Sequence, residues 1–319
     1  MRLGGQIEME NATREWTPSP DMFEPVGVMT QEADRISRPS HTYFQDARRR
    51  FMENRASVAG LILLILFVLL CVFGPLLVPY SYNTSDLSSA NQGFSAQHWF
   101  GTDELGRDFW ARVWTGGRMS IIIGLLAALM QAVIGILAGS AAGFLGGKVD
   151  QFIMRLVEFL MAFPYLVWVT LLMLITGAGF FPMVLALTLT GWLSMARLVR
   201  GQILSLKNED YVIATQSLGA DTRRIILKHM IPNTMGVIII NMTFAIPGAI
   251  FSEAFLSFIG IGIKSPMTSW GLLVSMGMKQ IYTYPFRLLI PCVCISLTML
   301  SLQLIGDGLR DALDPKLRR

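Results

Sequence analysis

Six stretches of predominantly apolar residues decide what this chain can become. Each is close to the ~20 residues that a helix needs to cross the hydrocarbon core of a bilayer. They lie at about Ser57–Val78, Ser120–Leu145, Phe152–Thr176, Pro182–Leu206, Gly236–Phe258 and Phe286–Ile305. Lipid offers no water to satisfy backbone N–H and C=O groups, so each stretch is expected to be a helix and not an open strand. Composition agrees: 53% of the 319 residues are hydrophobic and only 15% are charged, against about 25% charged in soluble domains. The expected class is an all-α, multi-pass membrane protein.

The net charge of +4 says less than its placement. Arg48, Arg49, Arg50 and Arg55 precede the first span. Arg197, Arg200, Lys207, Arg223, Arg224 and Lys228 surround the loop after the fourth, and Arg310, Lys316, Arg318 and Arg319 form the tail. With six spans these regions fall on one side, and basic residues favour the cytoplasmic side. Both termini and the 207–234 loop are therefore expected to be cytoplasmic. The opposite loops carry fewer basic residues: Arg107, Arg112 and Arg118, then Lys264, Lys279 and Arg287.

Residues 1–40 are polar and aperiodic, and are expected to be a disordered cytoplasmic tail. Residues 41–56 read as a basic amphipathic helix on the membrane surface, with Tyr43, Phe44 and Phe51 inserted. Residues 57–119 hold the first span and an external loop, 120–307 the core, and 308–319 a cytoplasmic tail. Gly135-x-x-x-Gly139-x-x-x-Gly143 predicts a seam for close helix approach. Cys71, Cys292 and Cys294 lie within spans, which points to packing and not to a metal site. Arg155 and Glu158 stand three apart, suited to pairing on one helix face. Glu253 has no basic neighbour in sequence. It is either an interfacial group reaching water, or a contact for a substrate amine or an external gate.

The longest polar interruption in the second half is Lys207–Thr234. Asn208, Glu209 and Asp210 suit a helix N-terminus. Tyr211, Ala214, Thr215 and Leu218 then share a helix face, and Gly219 stands where a C-cap glycine belongs. Asp221 can cap a second helix carrying Arg223, Arg224 and Lys228, expected to end at Pro232. This loop resembles the coupling loop of binding-protein-dependent ATP-cassette importers, a Glu-Ala-Ala triplet, a fixed Gly and a downstream Ile-x-Leu-Pro. Ala214, Gly219, Ile231 and Pro232 match; Ile213, Thr215 and His229 depart from it.

Before the second span stands FGTDELGRD, residues 100–108. Asp103 with Arg107, and Asp108 with Arg112, have the i,i+4 spacing of a short capped helix. The run closely resembles the hallmark of oligopeptide and dipeptide importer permeases. Gly191-Trp192, Ala196 to Gly201, Glu253 to Gly262, Ser269-Trp270-Gly271 and Gly306 to Pro315 extend the likeness, which spans about His41–Pro315 and fits the second (C-type) permease subunit.

The resemblance implies the fold of a type I ABC importer permease. Its implied partners are a second homologous permease, two cytoplasmic ATP-binding subunits and an extracytoplasmic peptide-binding protein, with no role for nucleic acid. It assigns ATPase coupling to Asp210, Tyr211, Ala214, Thr215, Leu218, Gly219, Ala220, Asp221 and Pro232, and an external motif to Gly101, Thr102, Asp103, Gly106, Arg107 and Asp108. ATP and Mg would be used by the partners: the only Gly-Lys pair, Gly147-Lys148, lacks the rest of a phosphate-binding loop. The alternatives are a same-family importer of nickel chelates, or a self-contained carrier or channel. A carrier would show internal repeats or broken helices around a midplane ion site, and the sequence shows no repeat and no such cluster of Asp, Asn or Ser in the spans. An intramembrane hydrolase is disfavoured because His41, His98 and His229 lie outside the spans.

Overall fold

The computed structural model describes residues 43–313; expectations for residues 1–40, for the Tyr43 and Phe44 side chains and for the last basic residues fall outside them. Helix α1 (Tyr43–Glu53) precedes α2 (Arg55–Phe73), and Asn54 between them accepts the Ala56 and Ser57 N–H groups as the N-cap of α2. Helix α3 (Phe109–Leu145) follows a long loop, and then come α4 (Gly147–Ala162), α5 (Tyr165–Thr176) and α6 (Phe180–Leu206). The short α7 (Asp210–Ser217) and α8 (Thr222–Ile225) lead into α9 (Ile231–Phe258), and α10 (Trp270–Met278) and α11 (Phe286–Leu313) close the fold. No strand of a sheet occurs among the described residues.

Five of these segments are long and apolar enough to cross a bilayer: Arg55–Leu77, Phe109–Leu145, Phe180–Leu206, Thr222–Phe258 and Phe286–Leu313. The third expected span is not one rod. It breaks into α4 and α5, bent by 90° at Phe163 and Pro164. Proline supplies the reason, since it disfavours helical backbone in the residue before it, and Phe163 is indeed extended at φ −97°, ψ 145°. No ion pair joins Arg155 to Glu158 in α4.

The second span is longer than expected. At 1.5 Å per residue, 37 residues make a rod of about 55 Å, so its first turns extend beyond a hydrocarbon core of about 30 Å. Asp108 sets its start by accepting the Ala111 N–H at 2.8 Å. The basic helix of the loop does not stop at Pro232 either. A π turn at Ile226–Met230, closed by Ile231 N–H to Ile226 O, runs straight into α9. The wider turn accommodates a proline ring that an unbroken α-helix would set against its preceding carbonyl.

Helix α6 is central. Its apolar window is the least hydrophobic of the five and is half buried within the chain, whereas that of the first span is the most hydrophobic and is only 22% buried. The expected glycine seam holds α3 against it. A methyl group on Gly139 would sit 2.5 Å from Ala196 O, and those on Gly135 and Gly143 would meet Met195 and Ile203. Phe51 is half-buried and packs over Gly308 of α11, where the absent side chain leaves room for its ring. Cys71 and Cys294 fill the core of Phe67, Trp114 and Trp270, in keeping with a packing role.

Candidate functional site

The two sequence motifs occupy opposite ends of the helices. At the start of α3, residues 102–108 fold back as a turn, not as the helix their charge spacing predicts. Asp103 N–H donates to Arg107 O at 3.0 Å, and Gly106 N–H donates to Asp103 O at 3.1 Å. One Asp103 carboxylate oxygen accepts the Leu105 and Arg107 N–H groups at 2.9 and 3.0 Å, the local side-chain bonding that lets Asp organise turns in place of helix. The other accepts Arg107 Nε at 2.7 Å and Arg112 at 2.9 Å. The spacing therefore identifies one pair correctly and misassigns the other. Asp108 bonds His98 Nδ1 at 2.8 Å, and Arg112 turns to Asp103.

These are buried groups, all between 1% and 5% exposed. The glycines of the motif are required by backbone geometry. Gly106 has φ +70°, and a Cβ there would lie 1.7 Å from Asp86 O; Gly101 has φ +73° with Gln92 O at 2.4 Å. Thr102 is the stitch between loop halves, accepting the Gln92 N–H and donating to Ser89 O. Arg287 from α11 closes the assembly by donating to Thr102 O, Asn91 Oδ1 and Gln280 Oε1. Its guanidinium also lies 4.1 Å from the Tyr284 ring centre. In sequence Arg287 counts only as one more loop cation, and two of its three partners, Thr102 and Asn91, lie 185 and 196 positions away. Nearby, hydrogen bonds from the Ser88 hydroxyl, the Ser89 hydroxyl and the Ser88 N–H hold the exposed Asp86 carboxyl below its usual range.

Behind this loop, Glu253 is fully buried, so the reading of it as a group reaching water is corrected. It accepts from Ser120 of α3 and Ser257 of α9, each at 2.8 Å. Ser120 in turn accepts the Trp270 N–H at 3.2 Å. The Trp270 indole fits the notch left by Gly117 and donates to Val113 O at 2.9 Å. One carboxylate thus ties α3, α9 and α10 together, without any cation.

Next to Glu253 in sequence, Ser252 faces elsewhere, into a cavity of about 510 Å³ among α3, α4, α5, α6 and α9. Gln131, Tyr165, Thr190, Ser194 and Ser252 supply its polar wall, and Phe163 and Trp168 much of its apolar one. The bend between α4 and α5 lies on this cavity. Sequence reasoning missed these residues, since isolated hydroxyls in apolar helices carry no period.

At the other end, α7 is moored by Val212, which is wholly buried with Ile203, Ile225 and Met230. Its outer side shows Tyr211, Ile213 and Ala214, with Thr215 half-covered. Leu218, at the C-cap, is 88% exposed. Gly219 has φ +79°; its N–H donates to Gln216 O and that of Ala220 to Thr215 O, the paired bonds of a Schellman cap. Glu209 and Asp221 occupy N-cap positions but form no capping bond through their side chains. Asp210 lies in the first turn of α7, and the exposed Pro232 lies beside Asn233, which donates to the Tyr211 hydroxyl. Arg200 clasps Asp150 at 2.5 and 2.6 Å, joining α6 to α4 near this end.

A family described as binding-protein-dependent transport system inner membrane component matches residues 133–319, and one described as the N-terminal TM domain of oligopeptide transport permease C matches residues 42–93. The chain is 46% identical to the oligopeptide transport system permease protein OppC of Bacillus subtilis (strain 168), over 94% of this chain and 98% of that protein. It is 49% identical to the dipeptide transport system permease protein DppC of the same organism, over 91% of both. OppC of Escherichia coli (strain K12) is 42% identical over 89% of this chain and 95% of its own length. Among solved structures, the MetNI methionine ABC transporter in inward-facing conformations shares the fold, with a TM-score of 0.52 over 64% of this chain and 96% of that one, at 16% identity.

Proposed function

The chain belongs to the binding-protein-dependent transport system inner membrane component family, and from that premise we infer that it is the permease subunit of an ATP-driven importer of peptides. It is a multi-pass membrane protein with the fold of a type I importer permease. Its relatives are permease components and not catalytic subunits. Its substrate path is formed together with a second, homologous permease. Two ATP-binding subunits, which use ATP and Mg, dock on the α7 end, and that end and both termini face the cytoplasm. The 102–108 turn faces outward, where an extracytoplasmic peptide-binding protein delivers substrate.

The observation that carries this assignment is α7 itself. A helix of 8 residues is too short to be stable alone in water, yet it is moored by Val212 and presents a bare leucine, Leu218, beyond its last turn. That is the shape of a knob awaiting a socket. Closure of the ATP-binding subunits moves α7, and the shared core with Ile203 and Ile238 passes that motion to α6 and α9. The energy comes from contacts that differ between the two states. On the outward side, the Glu253 clasp on α3 holds the outer gate.

Cysteines placed at Thr215 or Gln216 test the assignment in the assembled transporter. The expected result is cross-linking to an ATP-binding subunit, with a yield that changes when ATP is added. The purified chain alone in liposomes should carry no peptide flux; gradient-driven flux through it would overturn the assignment in favour of a free-standing carrier.

A further inference from the structure

The 510 Å³ cavity has the size of a small-ligand site, and nothing in the coupling end or the outer turn uses it. Its walls are unusual for a membrane core in one respect: five hydroxyl or amide side chains converge on it, and none of its lining residues is acidic or basic. Gln131 donates to Leu187 O at 3.0 Å, which leaves its Oε1 as a free acceptor. The Tyr165 hydroxyl is buried and finds at most Ser252 as a partner within the chain. A buried polar atom without a partner costs about 1–3 kcal/mol, so these groups are better satisfied by a guest that hydrogen-bonds. A lipid acyl chain would leave them unsatisfied.

We propose that this cavity is a peptide subsite on the translocation path, in which Gln131, Tyr165, Thr190, Ser194 and Ser252 bond the backbone amides of a passing peptide while Phe163 and Trp168 face its side chain. Backbone amides are common to every peptide, and a wall without charge neither attracts nor rejects acidic or basic side chains. The subsite therefore accepts peptides by backbone and not by sequence. Selection by charge falls to whatever delivers the peptide.

The geometry supplies its own probe. Gly248 lines the cavity, lies inside α9 and has nothing within 4 Å of where its Cβ would be. A large side chain there enters the cavity without displacing core atoms. The proposal rests on the importer assignment, so the experiment uses the complete transporter and measures uptake of labelled Ala-Ala-Ala, Ala-Lys-Ala and Ala-Glu-Ala. Gly248→Trp should lower uptake of all three at least about tenfold while the complex still assembles and hydrolyses ATP. Ser252→Asp should shift the Ala-Lys-Ala to Ala-Glu-Ala uptake ratio about tenfold toward the basic peptide, because an uncovered charge in a low-dielectric wall discriminates strongly by sign. Parent-level uptake by Gly248→Trp, or an unchanged ratio in Ser252→Asp, would overturn the subsite. Absence of ATP-dependent uptake in the parent complex would instead overturn the importer assignment.

Discussion

Asp103 carries most of the polar order of the outer turn, with two arginines and two backbone N–H groups on one carboxylate. Removing one member of a buried ion-paired set costs about 3–5 kcal/mol, because the remaining charges stay buried without compensation. Asp103→Ala is therefore expected to lose stability on that scale, read from thermal or denaturant melting of the detergent-solubilised complex. Asp103→Asn keeps the shape and some hydrogen bonding but leaves Arg107 and Arg112 without a counter-charge, so it should lose most of the same amount. An Asn variant as stable as the parent would show that shape and not charge holds the turn. The residues here were readable in sequence, and their partners were not. Two local pairs were expected, whereas Arg112 reaches past Asp108 to Asp103 because Asp108 already serves the α3 N-terminus and His98.

Among the elements, α7 makes few demands on stability and many on coupling. Leu218 is exposed, so Leu218→Asp should change folding stability by no more than about 0.5 kcal/mol. If Leu218 anchors a partner interface, its loss removes about 2 kcal/mol or more of binding energy, roughly thirtyfold in affinity. Gly219→Pro acts on the cap instead: it fixes φ near −65° where +79° is needed, and deletes the N–H that donates to Gln216 O. Both variants should reach the membrane at parent levels and fail in ATP-driven uptake. Normal uptake in both, at matched expression, would remove α7 from the coupling route. The cap was legible from Gly219 alone, because only a glycine tolerates that backbone cheaply. The mooring by Val212 was not, since its neighbours come from α6, α8 and α9.

For the whole molecule, the measurable statement is topology. Reporter fusions after Asn91 and within residues 265–268 should read external, and fusions after Asn208 and at the C-terminus cytoplasmic, from the asymmetry of Lys and Arg. A cytoplasmic reading after Asn91 would reverse the orientation. The bent α4–α5 pair makes the segment around Pro164 the informative control. A reporter in residues 163–164 samples a break that a straight third span would hide in the lipid.

The sequence alone determined that the chain is helical and crosses a membrane repeatedly, since unpaired backbone in lipid leaves no alternative. It also marked a close-approach seam on α3 and the two motif ends, because glycine spacing and local charge patterns act within a few residues of the chain. Only the tertiary structure decided the clasp of Glu253 on Ser120 and the closing of the outer turn by Arg287. Each of these depends on groups far apart in sequence being brought within hydrogen-bonding or packing distance, and a linear pattern holds no record of that distance.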